Sequence, residues 1–292
     1  MLTGEELAAV DLALSRHRDD SELTALNRLA GRDAVLPVGR RLYSAIAASD
    51  RARRSTEGRF DARILADLER LGDHGAQLGD RDGPPLADDA RTKRRARGPG
   101  DRTGRDPRQR SVALDRPHDL GGIGKGLALR WAADRVAAVL DPSTGYLLEA
   151  GGDVVARGSP IDGSRWSIAI EDPWFDGSPL AVLAFAAGAV CTSSIARRRW
   201  HLDDGRVAHH LIDPSTGDPG GDGLLAATVA GSDPAWAEVW SKALFLEGRR
   251  GIGDLARGRG LAAWWVESGG ELRMTPAARV MTDWTREPST TP

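Results

Sequence analysis

The sequence predicts an α+β (mixed α/β) fold, and three observations predict it. Amphipathic stretches with apolar residues at helical spacing fill the first seventy or so residues, while short apolar runs bounded by glycine and proline dominate from residue 111 onward. The two kinds of segment mix without a strict βαβ repeat, which argues for antiparallel or mixed sheets rather than a doubly wound parallel one. The chain has 292 residues, enough for one large domain or two tightly joined lobes with a substantial core. A net charge of −2 gives no electrostatic case for nucleic acid or a membrane surface. No apolar run approaches the length of a transmembrane span, and the single cysteine, Cys191, rules out an internal disulfide. Cys191 reads as a small buried hydrophobe.

In chain order, Thr3 and Glu6 have the spacing of a capping box, Leu2 and Leu7 that of a hydrophobic staple, and Leu7, Val10 and Leu14 mark one helical face. "DDSELTALNRLAGRD" reads as a turn and a short helix, Val38–Ala52 as a helix, and "TEGRFDARILADLERLGD" as a loop at Gly58 followed by another helix. Residues 73–110 are rich in Arg, Asp, Gly and Pro and poor in large apolar side chains, so they read as an exposed, mobile insertion within a single domain spanning 1–292. Its basic part, Arg91–Arg110, is either a solvated linker, the favoured reading, or a stretch that touches phosphates or an acidic partner. "SVALD" reads as a strand, and a helix follows to about Leu140, stopped by Asp141-Pro142. "GYLLEAGGDVVARG" reads as a strand interrupted at Gly151-Gly152 by a bulge or a close backbone approach. "RWSIAIEDP", "LAVLAFAAGAVCTSS" and "LLAATVAGS" read as further strands. Asp233-Pro234 starts a helix through Leu246 with Gly248 at its end, and "LAAWWVESGGELRMT" is a terminal hairpin turning at Gly269-Gly270.

The stretch that carries chemistry is "DLGGIGKGLALR", Asp119–Arg130. A glycine-rich turn opening a helix leaves backbone N–H groups for an anion and lets it approach closely; Lys125 adds a charge. It is neither of two familiar phosphate motifs. A Walker A loop requires glycine where Asp119 stands and Ser or Thr where Gly126 stands, and Gly122, Gly124 and Gly126 give G-x-G-x-G, one residue short of the dinucleotide fingerprint. Alone, the stretch is as readily a packing device as a ligand site. His210, taken alone, reads as an exposed loop histidine, and the pair His209-His210 is a poor metal site because strand neighbours face opposite ways. Asp153 is open between turn former and functional carboxylate.

Several blocks in order are more specific. "DLGGIGKG" resembles the "DLGGIAKG" signature of the flavin transferases, the ApbE-like FAD:protein FMN transferase family. "SEL" with "LN" at Ser21–Asn27 is similar to that family's early "SELSRLN" block, and "GRFD" at Gly58–Asp61 to its "GAFD". "EAGGDVVARG" from Glu149, "VCTSS" from Val190, "HHLIDPSTGDP" from His209 and "AEVWSKALFLEG" from Ala237 follow in the family's sequence. Together they span nearly the whole chain.

The resemblance implies a two-lobed fold with FAD in the cleft between the lobes and magnesium on its pyrophosphate. The implied reaction moves FMN from FAD to a threonine or serine hydroxyl of a target protein, with membrane redox proteins among the candidates, and releases AMP. By position, Asp119, Gly122, Lys125, Ser193, His210 and Asp213 bind FAD, and His210 is the general base or positioner for the acceptor hydroxyl. Asp213, Thr216 and Gly217 also shape the loop they belong to. The implied metal ligands are the Gly122 carbonyl and an aspartate–threonine pair four residues apart on a helix, whose places here are taken by Glu238 and Lys242. Ammonium cannot ligate magnesium. Three readings stay open: Lys242 takes part of the metal's charge role, Ser241 supplies the missing hydroxyl, or the site is degraded. Two rival functions go with these, an FAD-binding or FAD-holding protein without transfer and a hydrolase giving FMN and AMP. Family members begin with a strand and an "MGT" segment that contributes to flavin binding, whereas this chain begins at a helix. As it stands the sequence shows no signal peptide and reads as cytoplasmic, with an exported form if the true start lies upstream. It does not name the acceptor protein or the oligomeric state.

Overall fold

The computed structural model describes residues 2–73, 103–174 and 178–286. The helical first part is built from α1 (Leu2–Leu14), α2 (Glu22–Asn27), α3 (Arg40–Ser55) and α4 (Leu65–Arg70). Beside them lies a small antiparallel sheet of β1 (Leu36–Pro37), β2 (Gly104–Asp106) and β3 (Ser111–Ala113), in the order β1-β3-β2. Ser21 caps α2 by accepting from the Thr24 N–H at 3.0 Å. The capping box expected at Thr3 and Glu6 does not form. The Glu6 carboxylate is buried and instead takes Arg41 through two bonds of 2.7 Å, with Arg135 at 3.2 Å. These two guanidinium groups, the Arg41 hydrogen bond above all, hold Glu6 below the usual carboxylate range. Leu7 is exposed, so the buried face of α1 is Val10, Ala13 and Leu14. The expected insertion at 73–110 lies outside the described residues for 74–102. Its two ends are built into the fold: Asp73 is buried, and Gly104–Asp106 pairs with Ser111–Ala113 as an edge strand.

The second part opens with α5 (Gly124–Ala137), followed by β4 (Tyr146–Ala150) and β5 (Asp153–Arg157). The segment expected as one interrupted strand is a tight hairpin, with Ala150 opposite Asp153 and the turn made by Gly151 and Gly152 at φ 61° and 87°. Two consecutive positive φ values are the signature of a turn whose twist matches antiparallel strands, and glycine meets both without strain. Next come β6 (Trp166–Glu171), β7 (Pro179–Phe185) and β8 (Gly188–Ser194). The apolar run from Leu180 to Ser194 is two strands in different sheets. β7 pairs with β6 and with β14 (Thr282–Thr285), whereas β8 lies between β5 and β11 (Leu224–Gly231). A two-stranded ribbon, β9 (Arg199–His201) with β10 (Val207–His209), precedes β11. Then follow α6 (Pro234–Glu247), α7 (Ile252–Gly258), the terminal hairpin β12 (Ala262–Glu267) and β13 (Leu272–Met274), and α8 (Pro276–Arg279). Asp233 caps α6, and Gly248 ends it, as the sequence predicts.

The central sheet has six antiparallel strands in the order β13-β12-β11-β8-β5-β4. Its inner strands are largely buried on both faces, and the period of two assigns each side chain to a face. Val155, Ala189, Cys191, Val229 and Trp265 pack with Leu129, Ala133, Ala237 and Leu244 of α5 and α6. Val154, Ala156, Val190, Ala230 and Trp264 pack on the other side with Ile170, Leu183 and Phe185 of the β14-β7-β6 sheet. A third cluster joins α1, α2 and α3 to the start of α5 and α6 through Leu23, Leu42, Ile46, Leu127 and Val239. Cys191 is fully buried, with its thiol against the Pro234 carbonyl and its pKa raised by burial.

α5 and α6 meet at a glycine. A Cβ on Gly126 would stand 2.5 Å from the Ala235 Cα and the Pro234 carbonyl oxygen, both backbone atoms that cannot step aside. Gly126→Ala therefore forces the helices apart and is expected to lower stability by about 1–3 kcal/mol, the usual cost of overpacking. A melting curve of the variant checks this; one superimposable on the wild type would show that the contact is not tight.

Candidate functional site

A cleft of about 840 Å³ opens where the helical part meets the sheet layers, at the upper end of the ~300–1,000 Å³ typical of small-molecule sites. Its wall takes Arg16 and His17 from the end of α1, Arg59–Asp61 from the loop before α4, the glycine turn at 119–125, and the β4–β5 turn. The end of β8, residues 196–198, His210 and Lys242 complete it. Of the residues singled out from the sequence, Asp119, Gly122, Lys125, Ser193, His210 and Lys242 line this one cleft. Asp213 does not. Its carboxylate accepts from the Ser215 N–H at 2.7 Å and its carbonyl from Thr216 and Gly217, so it shapes the 213–218 loop, as expected of Thr216 and Gly217, while Pro214 reaches the cleft. Glu238 lies just behind the wall and Ser241 is fully buried.

The glycine turn differs from the expectation in how its backbone is used. Gly121 donates to the Asp119 carboxylate at 2.6 Å, Ile123 and Gly124 to the Leu120 carbonyl, and Gly126 to the Glu238 carboxylate at 2.8 Å. Protein acceptors thus take most of the amides that a phosphate would use, and the positive charge at the turn comes from two lysines. Lys125 contacts Asp153 at 2.5 Å, and Asp153 is itself fixed by the Thr192 N–H at 2.9 Å. Burial pulls the Lys125 pKa down, but the Glu238 and Asp153 carboxylates outweigh it and the net shift is upward, so the ammonium stays charged. Asp153, left open by the sequence, is the buried counterion of Lys125. Lys242 lies across Gly122, where a Cβ would meet its Cδ and Cε at 3.3 Å and the Phe60 ring at 2.9 Å; its Nζ is 3.3 Å from Glu238.

His210 donates from Nδ1 to the Arg198 carbonyl at 3.3 Å, an assignment that follows from the carbonyl being an acceptor and leaves Nε2 as the basic nitrogen. Its pKa is held well below the usual value, first by burial and then by the charges of Arg198, His209 and Lys242. At neutral pH the ring is uncharged and can accept a proton. Its neighbour His209 faces the other way, edge-on to Phe245, with Nδ1 accepting from the Leu211 N–H at 3.2 Å. The two rings thus have different surroundings, His210 in the cleft and His209 against Phe245.

Sequence reasoning missed the ionic frame behind the wall. The buried Asp73 carboxylate holds Arg198 at 2.6 Å and Arg16 at 3.1 Å, and Arg16 reaches on to Asp119 at 3.3 Å. Arg199 stacks on Trp174 with 5.0 Å to the ring centroid. Three successive arginines at 197–199 were the available signal, but their partners lie far away in sequence.

The residues expected to hold magnesium do not fit that ion. Magnesium requires about six oxygen ligands at ~2.0–2.1 Å in octahedral geometry. One Glu238 oxygen takes the Gly126 N–H and the other an ammonium, and the Ser241 hydroxyl is bonded to Ser193 at 2.8 Å and to the Glu238 carbonyl at 2.9 Å. Among the described residues, no group of three or more His, Cys, Asp and Glu side chains is placed to hold a metal. No helix among them is long and apolar enough to cross a membrane.

Charges pinned at fixed points around a deep cleft, with an uncharged imidazole among them, suit proton and group transfer on a bound ligand. The fold is α+β, and the cleft at the junction of helices and sheet is its candidate site for chemistry. A model of the ApbE family matches residues 3–275, and the chain belongs to that family, as the motif blocks led us to expect. The chain is 28% identical over 272 residues to a protein named FAD:protein FMN transferase from Klebsiella pneumoniae (strain 342), covering 91% of this chain and 76% of that one. The fold is similar to the crystal structure of the ApbE protein from Thermotoga maritima, with a TM-score of 0.81 and 25% identity over 98% of this chain and 90% of that one. It is also similar to the apo form of the Pseudomonas stutzeri flavinyl transferase ApbE, with a TM-score of 0.72 and 25% identity over 96% and 87% of the two chains.

His209 is one source of a pH-dependent stability. Burial lowers the His209 pKa from 6.5 to about 4, so between these values the unfolded chain binds a proton that the folded chain does not. The contribution is complete above pH 6.5 and is lost as pH falls towards about 4. We expect about 2–3 kcal/mol of stability to disappear over that window, measured by denaturant unfolding. His209→Gln should reduce the dependence by about that amount and leave the part of the same sign that His210 contributes; an unchanged slope would remove His209 as a source.

Proposed function

We propose that the protein transfers FMN from FAD to a threonine or serine hydroxyl of an acceptor protein and releases AMP. The observation that carries this reading is His210: an uncharged imidazole, anchored through Nδ1, in the same cleft as Lys125 and Lys242. FAD is the substrate, and its pyrophosphate is the group that two anchored ammonium ions suit. The acceptor hydroxyl loses its proton to His210 Nε2 as its oxygen attacks the FMN phosphorus. A new P–O bond forms, the bond from that phosphorus to the bridging oxygen breaks, and AMP leaves with the oxygen and its electron pair. Arg198 has a double part, since its carbonyl orients the ring and its guanidinium adds to burial in keeping the ring uncharged at rest. The names of the relatives support the donor and the protein acceptor.

A second reading, FAD held without transfer, is favoured by the engaged Glu238 carboxylate, which leaves no oxygen free for a metal. AMP release from FAD in the presence of a Thr- or Ser-bearing acceptor distinguishes the two. Hydrolysis, the third possibility raised by the sequence, would give AMP without an acceptor.

Two outcomes follow. The protein should bind FAD more tightly than FMN, because FMN lacks the second phosphate; equal affinities in a fluorescence titration would overturn the placement of the pyrophosphate at the lysines. His210→Ala should lower transfer by roughly 10²–10⁴-fold and leave FAD affinity nearly unchanged. Normal transfer by that variant would take His210 out of the mechanism.

A further inference from the structure

Lys242 is the residue of the cleft that fits its surroundings most closely and the expected chemistry least. Its stem lies on Gly122, its side chain is only 16% exposed, and its ammonium sits on a carboxylate whose own exposure is 1%. That carboxylate is committed on its other side to the first turn of α5. A buried Glu238 without a counterion would be costly, so this position needs a positive charge in the folded protein whether or not a ligand is present. Lys242 supplies it covalently. A dication brought to the same place would face the ammonium directly and would find both Glu238 oxygens already in use and the Ser241 hydroxyl turned into the packing of α6 on β8.

We propose that Lys242 replaces a protein-held divalent cation in this cleft: its ammonium, carried over Gly122 by Glu238, receives the diphosphate of the ligand, so binding requires no added divalent metal. This rests on the reading that the ligand is FAD. Lys125 is the second half of the arrangement. It closes the same turn and has its own buried carboxylate, Asp153, so each ammonium reaches the cleft with a fixed partner behind it. Such pairs hold the cations in place before the ligand arrives, and each remains able to make charge-assisted contacts with phosphate oxygens.

The test is a fluorescence titration of the full-length protein with FAD, once with a chelator and once with magnesium in excess. The wild type should bind FAD with the same affinity, within about threefold, in both conditions. Lys242→Thr, which replaces the ammonium by a hydroxyl, should bind about tenfold or more weakly under chelation, the loss of one charge-assisted contact, and recover in magnesium. Lys242→Arg keeps the charge and should remain insensitive to the chelator. Wild-type protein that binds FAD only with magnesium overturns the proposal while leaving the functional reading intact. Wild-type protein that binds no FAD in either condition overturns the functional reading itself. Lys242→Thr indistinguishable from wild type under chelation also overturns the proposal, and if that variant does not fold, the wild-type comparison and Lys242→Arg still decide it.

Discussion

The contact on which the rest of the site depends is the closure of the α5 N-terminus by a carboxylate from α6. Gly126 lets the helices approach until its N–H reaches Glu238, and Glu238 then fixes Lys242. A negative group at a helix start is favoured by the helix dipole, and here it is inside the protein, where screening is weak. The same carboxylate therefore stabilises the helix junction and sets the electrostatics of the cleft wall. The bare Cα of Gly126 and the Glu238 carboxylate are, structurally, two halves of one contact.

Three buried carboxylates behind the wall each hold a cation that lines it. Asp153 stands behind Lys125, Glu238 behind Lys242, and Asp73 behind Arg198 and Arg16. Pairs of this kind contribute little net stability compared with apolar packing, because desolvation offsets their attraction. Their value is positional. Each cation keeps its location without a ligand, and the charge behind it prevents the cleft from being a simple excess of positive potential.

Much of this was legible in the sequence. The glycine turn, the "HLIDPSTG" loop and the α6 block each brought a residue to the cleft, because short motifs whose chemistry is local keep their spacing when the chain folds. The α6 boundaries were readable for the same reason: Asp233, Pro234 and Gly248 act on their immediate neighbours. What misled were local patterns overruled by distant partners. Glu6 matches a capping box but is drawn to Arg41 and Arg135, and the glycine turn looks like a set of free amides until Glu238 arrives from α6, 112 residues later. The Gly151-Gly152 pair was ambiguous because a bulge and a tight hairpin demand the same residues. Asp73 was invisible, since nothing near it in the chain announces Arg16 or Arg198.

The order of strands in the central sheet has a consequence for how this protein comes into being. Val154 pairs with Val190, Cys191 with Val229, and Val229 with Ala263, each partner 34–38 residues further along. Every internal seam of the sheet therefore closes a long loop before it gains any cross-strand contact, and such seams form late compared with local helices and hairpins. Thr192, Ser193 and Lys242, with the Asp153 that anchors Lys125, are all carried by these seams or by the helix packed on them. The helical part can assemble early, but its half of the cleft faces nothing until the last seam is closed. Ligand capacity in this architecture is thus a property of the finished chain: a partly folded molecule has the glycine turn without the charges that face it.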